Sequence, residues 1–169
     1  MKILSGRYKG HKIITRNKLL YRPTKSRVRK SIFDRLMPFN YSLVLDLFSG
    51  SGILGFEAAS RGASHVTFVE KNTQVMELIK KNSQNKDGNI NFSFFNVDAL
   101  RFIKSCSNFD LIIADPPYQT SNIKKIVNSC LRKLNIGGKF ILETDSNHSF
   151  NSNAKQINFG STKIHIWNN

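Results

Sequence analysis

A carboxylate, two prolines and an aromatic ring directly follow an apolar run that is typical of a buried strand. The run covers residues 109–114, and Asp115, Pro116, Pro117 and Tyr118 come next. Proline fixes φ and lacks an amide donor, so we expect outward-facing carbonyl acceptors beside Asp115. Acceptors that hold both hydrogens of an aromatic amine favour its nucleophilic form, while Tyr118 offers a stacking face. The motif therefore predicts chemistry on the exocyclic amine of a flat base, with Asp115, Pro116 and Tyr118 as catalytic residues.

Acidic residues are concentrated in or just after the segments that the sequence predicts to be strands. Five of the eleven acids stand there, namely Asp46, Glu70, Asp98, Asp115 and Glu143. Open α/β sheets bind ligands outside the carboxyl ends of their strands, at the topological switch point. Acids at that edge of a strongly basic protein indicate a ligand with hydroxyls, amines and positive charge.

A glycine-rich loop accompanies these acids. The loop, residues 50–55, satisfies the dinucleotide pattern of glycines, and Glu70 follows at a distance suited to a ribose hydroxyl. A nicotinamide cofactor, and hence an oxidoreductase, is one interpretation. S-adenosylmethionine is favoured because Asp46 precedes the loop and can hold the ammonium of the methionine moiety. Glu70 would then bind the ribose diol and Asp98 the adenine amine. The expected cofactor-binding set is Asp46, Phe48, Gly50, Gly52, Glu70, Lys71, Asp98 and Ala99.

Each acid taken alone could equally be a helix cap or a surface charge. For Glu57 we prefer that interpretation, because it stands early in a predicted helix where a negative charge suits the helix dipole.

Positive charge is concentrated at the amino-terminal end. The chain of 169 residues carries a formal charge of +15, and residues 1–35 hold 12 of the 26 Lys and Arg with a single acid, Asp34. A polyanion is the expected partner. Nucleic acid is favoured over a membrane because no strongly amphipathic apolar face accompanies the arginines. The candidate nucleic-acid-binding residues are Arg7, Lys9, Lys12, Arg22, Thr24, Arg27 and Arg29, and the family resemblance given below makes them candidates for binding RNA.

The pattern of elements predicts one α/β domain over residues 1–169. Residues 1–20 form a basic hairpin appendage, and Thr24 caps a basic helix running to about residue 37, within residues 21–38. From residue 42 onwards strands and helices alternate, which predicts a mainly parallel sheet with helices on both faces.

The same pattern predicts the bounds of each strand and helix in this core. Strands are expected at 43–48, 65–69, 91–97, 111–114 and 139–143, with helices from 53, from 73, at 99–105 and at 122–134. Residues 155–159 and 162–167 flank Gly160 and form a closing antiparallel hairpin.

Composition also sets negative expectations. Cys106 and Cys130 have no paired His or Cys at metal-ligand spacing, so we expect neither a metal site nor a disulfide framework. No apolar run approaches the length of a membrane span or a signal peptide, so a cytoplasmic location is expected.

The glycine loop followed by Asp115-Pro116-Pro117-Tyr118 resembles class I methyltransferases that use S-adenosylmethionine and act on amines. More narrowly, Gly6 to Gly10, Arg22 to Arg29, Asp46 to Gly52, Phe68 to Asn72 and Phe109 to Tyr118 resemble the RsmD family, in family order and over nearly the whole chain.

That resemblance implies a Rossmann-like methyltransferase fold and methylation of the exocyclic N2 of a guanine in bacterial 16S ribosomal RNA. The expected partner is that RNA in the small ribosomal subunit or its assembly intermediate, and the expected state is a monomer. Two other functions remain open. One is amino-methylation of adenine or cytosine in DNA, which shares the Asp-Pro-Pro-Tyr motif. The other is a noncatalytic RNA-binding factor in ribosome assembly.

Overall fold

The computed structural model describes residues 1–15, 26–84, 86, 89–117, 120, 122–148, 150 and 153–169. Within them, one sheet contains the strands β1 (Leu43–Leu47), β2 (His65–Val69), β3 (Asn91–Phe95), β4 (Phe109–Ala114), β5 (Leu134–Asp145), β6 (Lys155–Phe159) and β7 (Thr162–Asn168). The helices are α1 (Ser26–Asp34), α2 (Ile53–Ser60), α3 (Thr73–Ser83), α4 (Ala99–Ser105) and α5 (Ile123–Leu131).

The sheet has the strand order β3-β2-β1-β4-β5-β7-β6. Strands β1 to β5 pair in parallel, and β7 runs antiparallel between β5 and β6. The chain extends the sheet to one side of β1 through β2 and β3, then crosses to β4 on the other side. That reversal is a topological switch point at β1 and β4. The predicted parallel sheet with a closing antiparallel hairpin is confirmed.

Each face of the sheet has its own apolar layer. Val44, Phe68 and Ile113 lie in the layer that packs against α1, α2 and α3. Leu45, Ile112 and the strands' other alternate residues lie in the layer that packs against α4 and α5. Because both faces are covered, the central strands are continuously apolar, and a carboxylate such as Asp46 stands out among them.

The largest difference between the predicted strand boundaries and the structure is at β5, whereas β1, β3, β4 and β7 differ by one or two residues. Strand β5 begins at Leu134, where 139 was expected, and the predicted helix 122–134 ends at Leu131. Leu134 already pairs with Phe109 across an irregularity in the β4–β5 register. Glycine at position 138 permits this close approach of the two strands. A Cβ there would lie only 3.0 Å from the backbone oxygen of Asp110, which is too close for a side chain.

Residues 1–15 are an integral part of the fold rather than the appendage that was expected. The two arms of the turn meet in one antiparallel bridge between Lys2 and Lys12. Ile3, Tyr8 and Ile13 are buried in the layer that contains α2 and α3. On α3, Asn82 both accepts from Ile14 N (2.8 Å) and donates to Ile14 O (3.0 Å). The apolar residues between the lysines therefore anchor a turn that the charge pattern alone suggested was separate.

Helix α1 confirms the predicted basic helix from Ser26 onwards, whereas its expected cap Thr24 and the neighbouring Arg22 lie outside the described residues. In the part of the chain that the structure describes, no helix combines the length and apolar character needed to cross a membrane.

Candidate active site

The register of the parallel strands brings the acids of the sheet edge together. Leu47 pairs with Val69 on one side and with Ala114 on the other. Glu70 and Asp115, the next residue after each partner, therefore leave the sheet at the same level on either side of β1. Adjacent strands are about 4.8 Å apart, so the two backbones are roughly 10 Å apart with β1 between them.

Asp46 lies on β1 between these two acids and is almost fully buried, with 1% of its surface exposed. Its Oδ2 accepts a hydrogen bond from Gly55 N at 2.8 Å, in the first turn of α2. Burial raises the pKa of Asp46 to about 8; the Gly55 bond opposes this shift, while the charges of Asp115 and Glu70 add to it. If all three groups were ionised they would repel one another, and a cation placed among them would relieve that repulsion.

The loop between β1 and α2 is held open by an unusual backbone. Gly50 and Gly52 have φ of 51° and 74°, and Phe48 adopts φ 64°, a conformation that costs free energy for a side chain with a Cβ. Ser49, a residue not singled out from the sequence, donates to Asp46 O and accepts from Val69 N. These two bonds tie the loop to β1 and β2, so the strained backbone keeps one geometry.

Glu70 is already oriented by backbone groups. Its Oε2 accepts from Gly50 N at 3.1 Å and its Oε1 from Asn72 N at 2.8 Å. The side-chain amide of Asn96 donates to the carbonyls of Glu70 and Lys71 and so holds this corner against the end of β3. Nothing in the sequence around Asn96 indicated this role. The result is a fixed carboxylate beside the glycine loop, with its remaining lone pairs able to accept ribose hydroxyls.

Asp98 and Ala99 stand at the start of α4. Asp98 caps the helix, since its Oδ1 accepts from Arg101 N at 3.1 Å, and its side chain is exposed. Ala99 is buried beneath it. The helix-cap interpretation of Asp98 is therefore realised. A ligand role for its other oxygen stays a prediction.

The Asp-Pro-Pro segment leaves β4 at the same edge. Asp115 is half-buried and Pro116 is buried. The Pro117 carbonyl accepts from both the backbone N and Oγ1 of Thr120, at 2.9 and 2.6 Å. That carbonyl therefore closes the turn, which leaves Asp115 and Pro116 as the expected acceptors for a substrate amine. Tyr118 lies outside the described residues.

The basic residues fall into two groups that the sequence did not separate. Arg7, Lys9, Lys12 and Arg27 are exposed, as an RNA-binding surface requires. Arg29 is not, because only 1% of its surface is exposed. The structure therefore removes Arg29 from the RNA-binding set, and its contacts with α2 and the amino-terminal turn explain why.

Arg29 and Glu57 form a buried ion pair, so placing the charge of Glu57 at a solvated helix end was wrong. Arg29 Nε lies 3.6 Å from Glu57 Oε2, while Arg61 Nη2 lies 3.0 Å from Glu57 Oε1. Arg29 Nη2 also donates to Lys2 O at 2.8 Å. Burial lowers the pKa of Arg29, and the Glu57 charge opposes that shift. The pair joins α1, α2 and the amino-terminal turn.

The carboxylates and the glycine loop of this site match the chemical groups of S-adenosylmethionine. The cluster of Asp46, Glu70 and Asp115 suits a ligand carrying an ammonium and a sulfonium, and Glu70 beside the open glycine loop suits a ribose. A Cβ on Gly55 would lie 3.0 Å from Asp46 Oδ2 and 2.3 Å from the Phe68 ring. Only glycine therefore fits at this position beside Asp46. No group of three or more potential metal ligands was found among the described residues.

Comparisons with known proteins agree with this geometry. A family model described as Conserved hypothetical protein 95 matches residues 1–167. The chain is 40% identical over 123 residues to ribosomal RNA small subunit methyltransferase D of Haemophilus influenzae, covering 70% of this chain and 64% of that protein. The protein of the same name from Buchnera aphidicola is 38% identical, with 75% and 67% covered. This chain belongs to the RsmD family of methyltransferases.

Solved structures place the RsmD-family chain among class I methyltransferase folds. The yhhF protein of Escherichia coli superposes with a TM-score of 0.86 and 26% identity, covering 99% of this chain and 97% of that one. A Thermus thermophilus 16S rRNA N2 G1207 methyltransferase, solved with AdoMet and guanosine, gives 0.69 and 20% identity, covering 82% and 41%, which shows a shared fold. Membership of a methyltransferase family and the acidic cluster both support S-adenosylmethionine as the cofactor.

Proposed function

We propose that this chain transfers a methyl group from S-adenosylmethionine to the exocyclic N2 of a guanine in 16S ribosomal RNA of the small subunit. The observation that carries the proposal is the convergence of Asp46, Glu70 and Asp115 at the switch point, with the Asp-Pro-Pro segment leaving β4 beside them. Relatives named for the small-subunit ribosomal RNA support the substrate. A fold neighbour solved with guanosine supports the base.

The residues of this chain act mainly by positioning. S-adenosylmethionine held beside Asp46 and Glu70 would supply an electrophilic methyl group, and attack by the guanine N2 would form the new N–C bond with the thioether as the leaving group. Asp115 and the Pro116 carbonyl accept from the two amine hydrogens and aim the nitrogen lone pair. Tyr118 stacks on the base. Aligning two bound reactants supplies roughly 7 to 11 kcal/mol. The nitrogen then loses one proton, to Asp115 or to water.

The exposed cations of the amino-terminal part hold the RNA. A base within a duplex cannot reach such a pocket, so the target guanine must be unpaired or flipped out. Arg7, Lys9, Lys12 and Arg27 bind the flanking phosphates, and Arg22 and Thr24 complete this set. Ion pairing with phosphates positions the strand, while the pocket selects the amine.

The test is methyl transfer with labelled S-adenosylmethionine to small subunits from cells that lack this methylation, followed by nucleoside analysis. We expect N2-methylguanosine in 16S RNA. Labelled methyladenine or methylcytosine in a DNA control would instead assign the chain to DNA amino-methylation. Cofactor binding without transfer to subunits, assembly intermediates or DNA would support a noncatalytic RNA-binding role.

A further inference from the structure

The amino-terminal basic turn is packed against the last residue of α2 with no space between them. Gly6 lies in this turn with φ +83°, and a Cβ added to it would lie 1.8 Å from the Ser60 carbonyl oxygen and 2.8 Å from Ser60 Oγ. No side chain fits there without moving the turn away from α2. Gly6 is thus required for close approach as well as for its backbone conformation.

Hydrogen bonds hold the turn in that position. Ser60 O accepts from Arg7 N at 2.7 Å, and Ser60 Oγ accepts from Tyr8 N at 2.8 Å and donates to Ser5 O at 2.6 Å. One turn earlier on α2, Glu57 accepts from the backbone N atoms of Leu4 and Ser5 at 2.8 and 3.1 Å. Ser60 and Glu57 are both buried. Two side chains of one helix therefore fix the backbone that presents Arg7 and Lys9.

The opposite end of the same helix is the cofactor site. Helix α2 begins after Gly52, and Gly55 N in its first turn donates a hydrogen bond to Asp46 Oδ2. The helix has eight residues, which corresponds to about 12 Å. The residues that hold the methyl donor and those that hold the basic turn are thus separated by one short, fully buried helix with no flexible link.

From this continuity we infer that α2 is a rigid spacer that sets the distance between the methyl donor and the phosphates gripped by Arg7 and Lys9. Gly6 and Ser60 are positioning residues for the RNA. The inference deepens the proposed function and rests on it. A rigid spacer suits an RNA whose phosphates are already fixed by its own folded structure, because neither partner then loses conformational freedom on binding.

Two glycines of the same turn provide a matched pair of variants. Gly10 also has φ +83°, but a Cβ added to it meets no atom within 4 Å. Gly6→Ala and Gly10→Ala therefore impose similar backbone strain, and only Gly6→Ala forces the turn off Ser60. KM and kcat with small subunits, the cofactor Kd from calorimetry and the melting temperature should be measured for both.

We expect Gly6→Ala to raise the KM for subunits on the order of tenfold, since simultaneous engagement of phosphates and base is lost, with kcat and the cofactor Kd near wild type. Gly10→Ala should keep the wild-type KM. Equal KM values for the two variants, or a loss in kcat alone, would overturn the inference.

Ser60→Ala gives an independent test if Gly6→Ala does not fold, because it removes two hydrogen bonds without adding bulk. A raised KM with unchanged cofactor Kd supports the spacer, and an unchanged KM overturns it. Failure of the wild-type protein to methylate any subunit would instead refute the proposed function, so the two failures are distinguishable.

Discussion

Two aspartates at opposite ends of β4 show how position decides what a carboxylate does. Asp110, at the amino end, accepts from Ser42 N, Leu43 N and Asn135 Nδ2, so its role is to join strand ends. Asp115, at the carboxyl end, faces the cluster around Asp46 at the switch point. The sequence motif after β4 singled out the one that lies at the switch point, and its catalytic role stays a prediction.

Replacing each aspartate by asparagine tests this distinction. Asp115→Asn should lower methyl transfer by about 10²- to 10³-fold, because the neutral amide is a weaker acceptor than the carboxylate and places an NH2 group beside the substrate amine, while RNA binding is retained. Asp110→Asn should lower the free energy of unfolding and leave kcat unchanged. Transfer assays and urea unfolding on both variants give the comparison, and wild-type turnover by Asp115→Asn would remove it from the mechanism.

The buried Asp46 should make cofactor binding depend on pH. Its folded-state pKa of about 8 lies above the usual 3.8, so the free carboxyl is protonated at neutral pH, and its contribution to stability falls as pH rises from about 4 to about 8. The cofactor's ammonium requires the carboxylate, so binding releases a proton. Affinity should rise with pH between about 6 and 7.5, by at most about tenfold per pH unit.

Calorimetry across that range, in buffers of different ionisation enthalpy, measures both the affinity and the proton release. Asp46→Asn keeps an oxygen for Gly55 N but cannot titrate, so its weaker binding should be independent of pH. An unchanged pH dependence in this variant would assign the titration to another group.

At the scale of elements, the apolar face of α1 can be predicted from the sequence, but the buried ion pair of Arg29 cannot. The spacing of Val28, Ile32 and Phe33 is typical of one apolar helix face, and all three are buried. Arg29 lies beside that face, but an arginine in a basic segment gives no sign of a buried partner. Its partner Glu57 is 28 positions away on α2, and only the packing of the two helices brings them together.

Substituting the two arginines of α1 separates binding from stability. Arg27→Ala should weaken RNA binding and change the free energy of unfolding by less than about 0.5 kcal/mol, since Arg27 is exposed. Arg29→Ala should lower that free energy by about 3 kcal/mol, because Glu57 loses one of its buried partners. Denaturant unfolding and RNA titration on both variants decide this, and equal stabilities would contradict the buried pair.

The alternation of strands and helices could be predicted because the apolar residues of each element recur with the period of a strand or of a helix. The predicted bounds 65–69, 99–105 and 155–159 match β2, α4 and β6. The cofactor loop was predictable for the same local reason, since its glycines and Asp46 are close in sequence. Ser49, Asn96 and Ser60 were missed because each works through backbone groups on another element, and residue type alone does not report such partners.

At the scale of the whole molecule, the formal charge of +15 coexists with an acidic site, so the two ligands should respond differently to salt. RNA affinity should fall steeply as salt rises because phosphate contacts release counterions, whereas cofactor affinity should change little. Lys9→Ala should reduce the salt slope of RNA binding by about 1. Lys80→Ala is the control, because Lys80 is paired with Glu77 on α3. Equal slopes for the two variants would mean that the basic turn does not contact RNA.

The most direct test of the central claim is the methylation state of 16S RNA in a bacterium that lacks its own RsmD-family enzyme. The chain, or its Asp115→Asn variant, is expressed there and the RNA is digested and analysed by mass spectrometry. Restored N2-methylguanosine with the wild-type chain, and at most a trace with the variant, is the predicted result. The absence of N2-methylguanosine with well-expressed wild-type protein, or its formation at the wild-type level by the Asp115→Asn variant, would contradict the account.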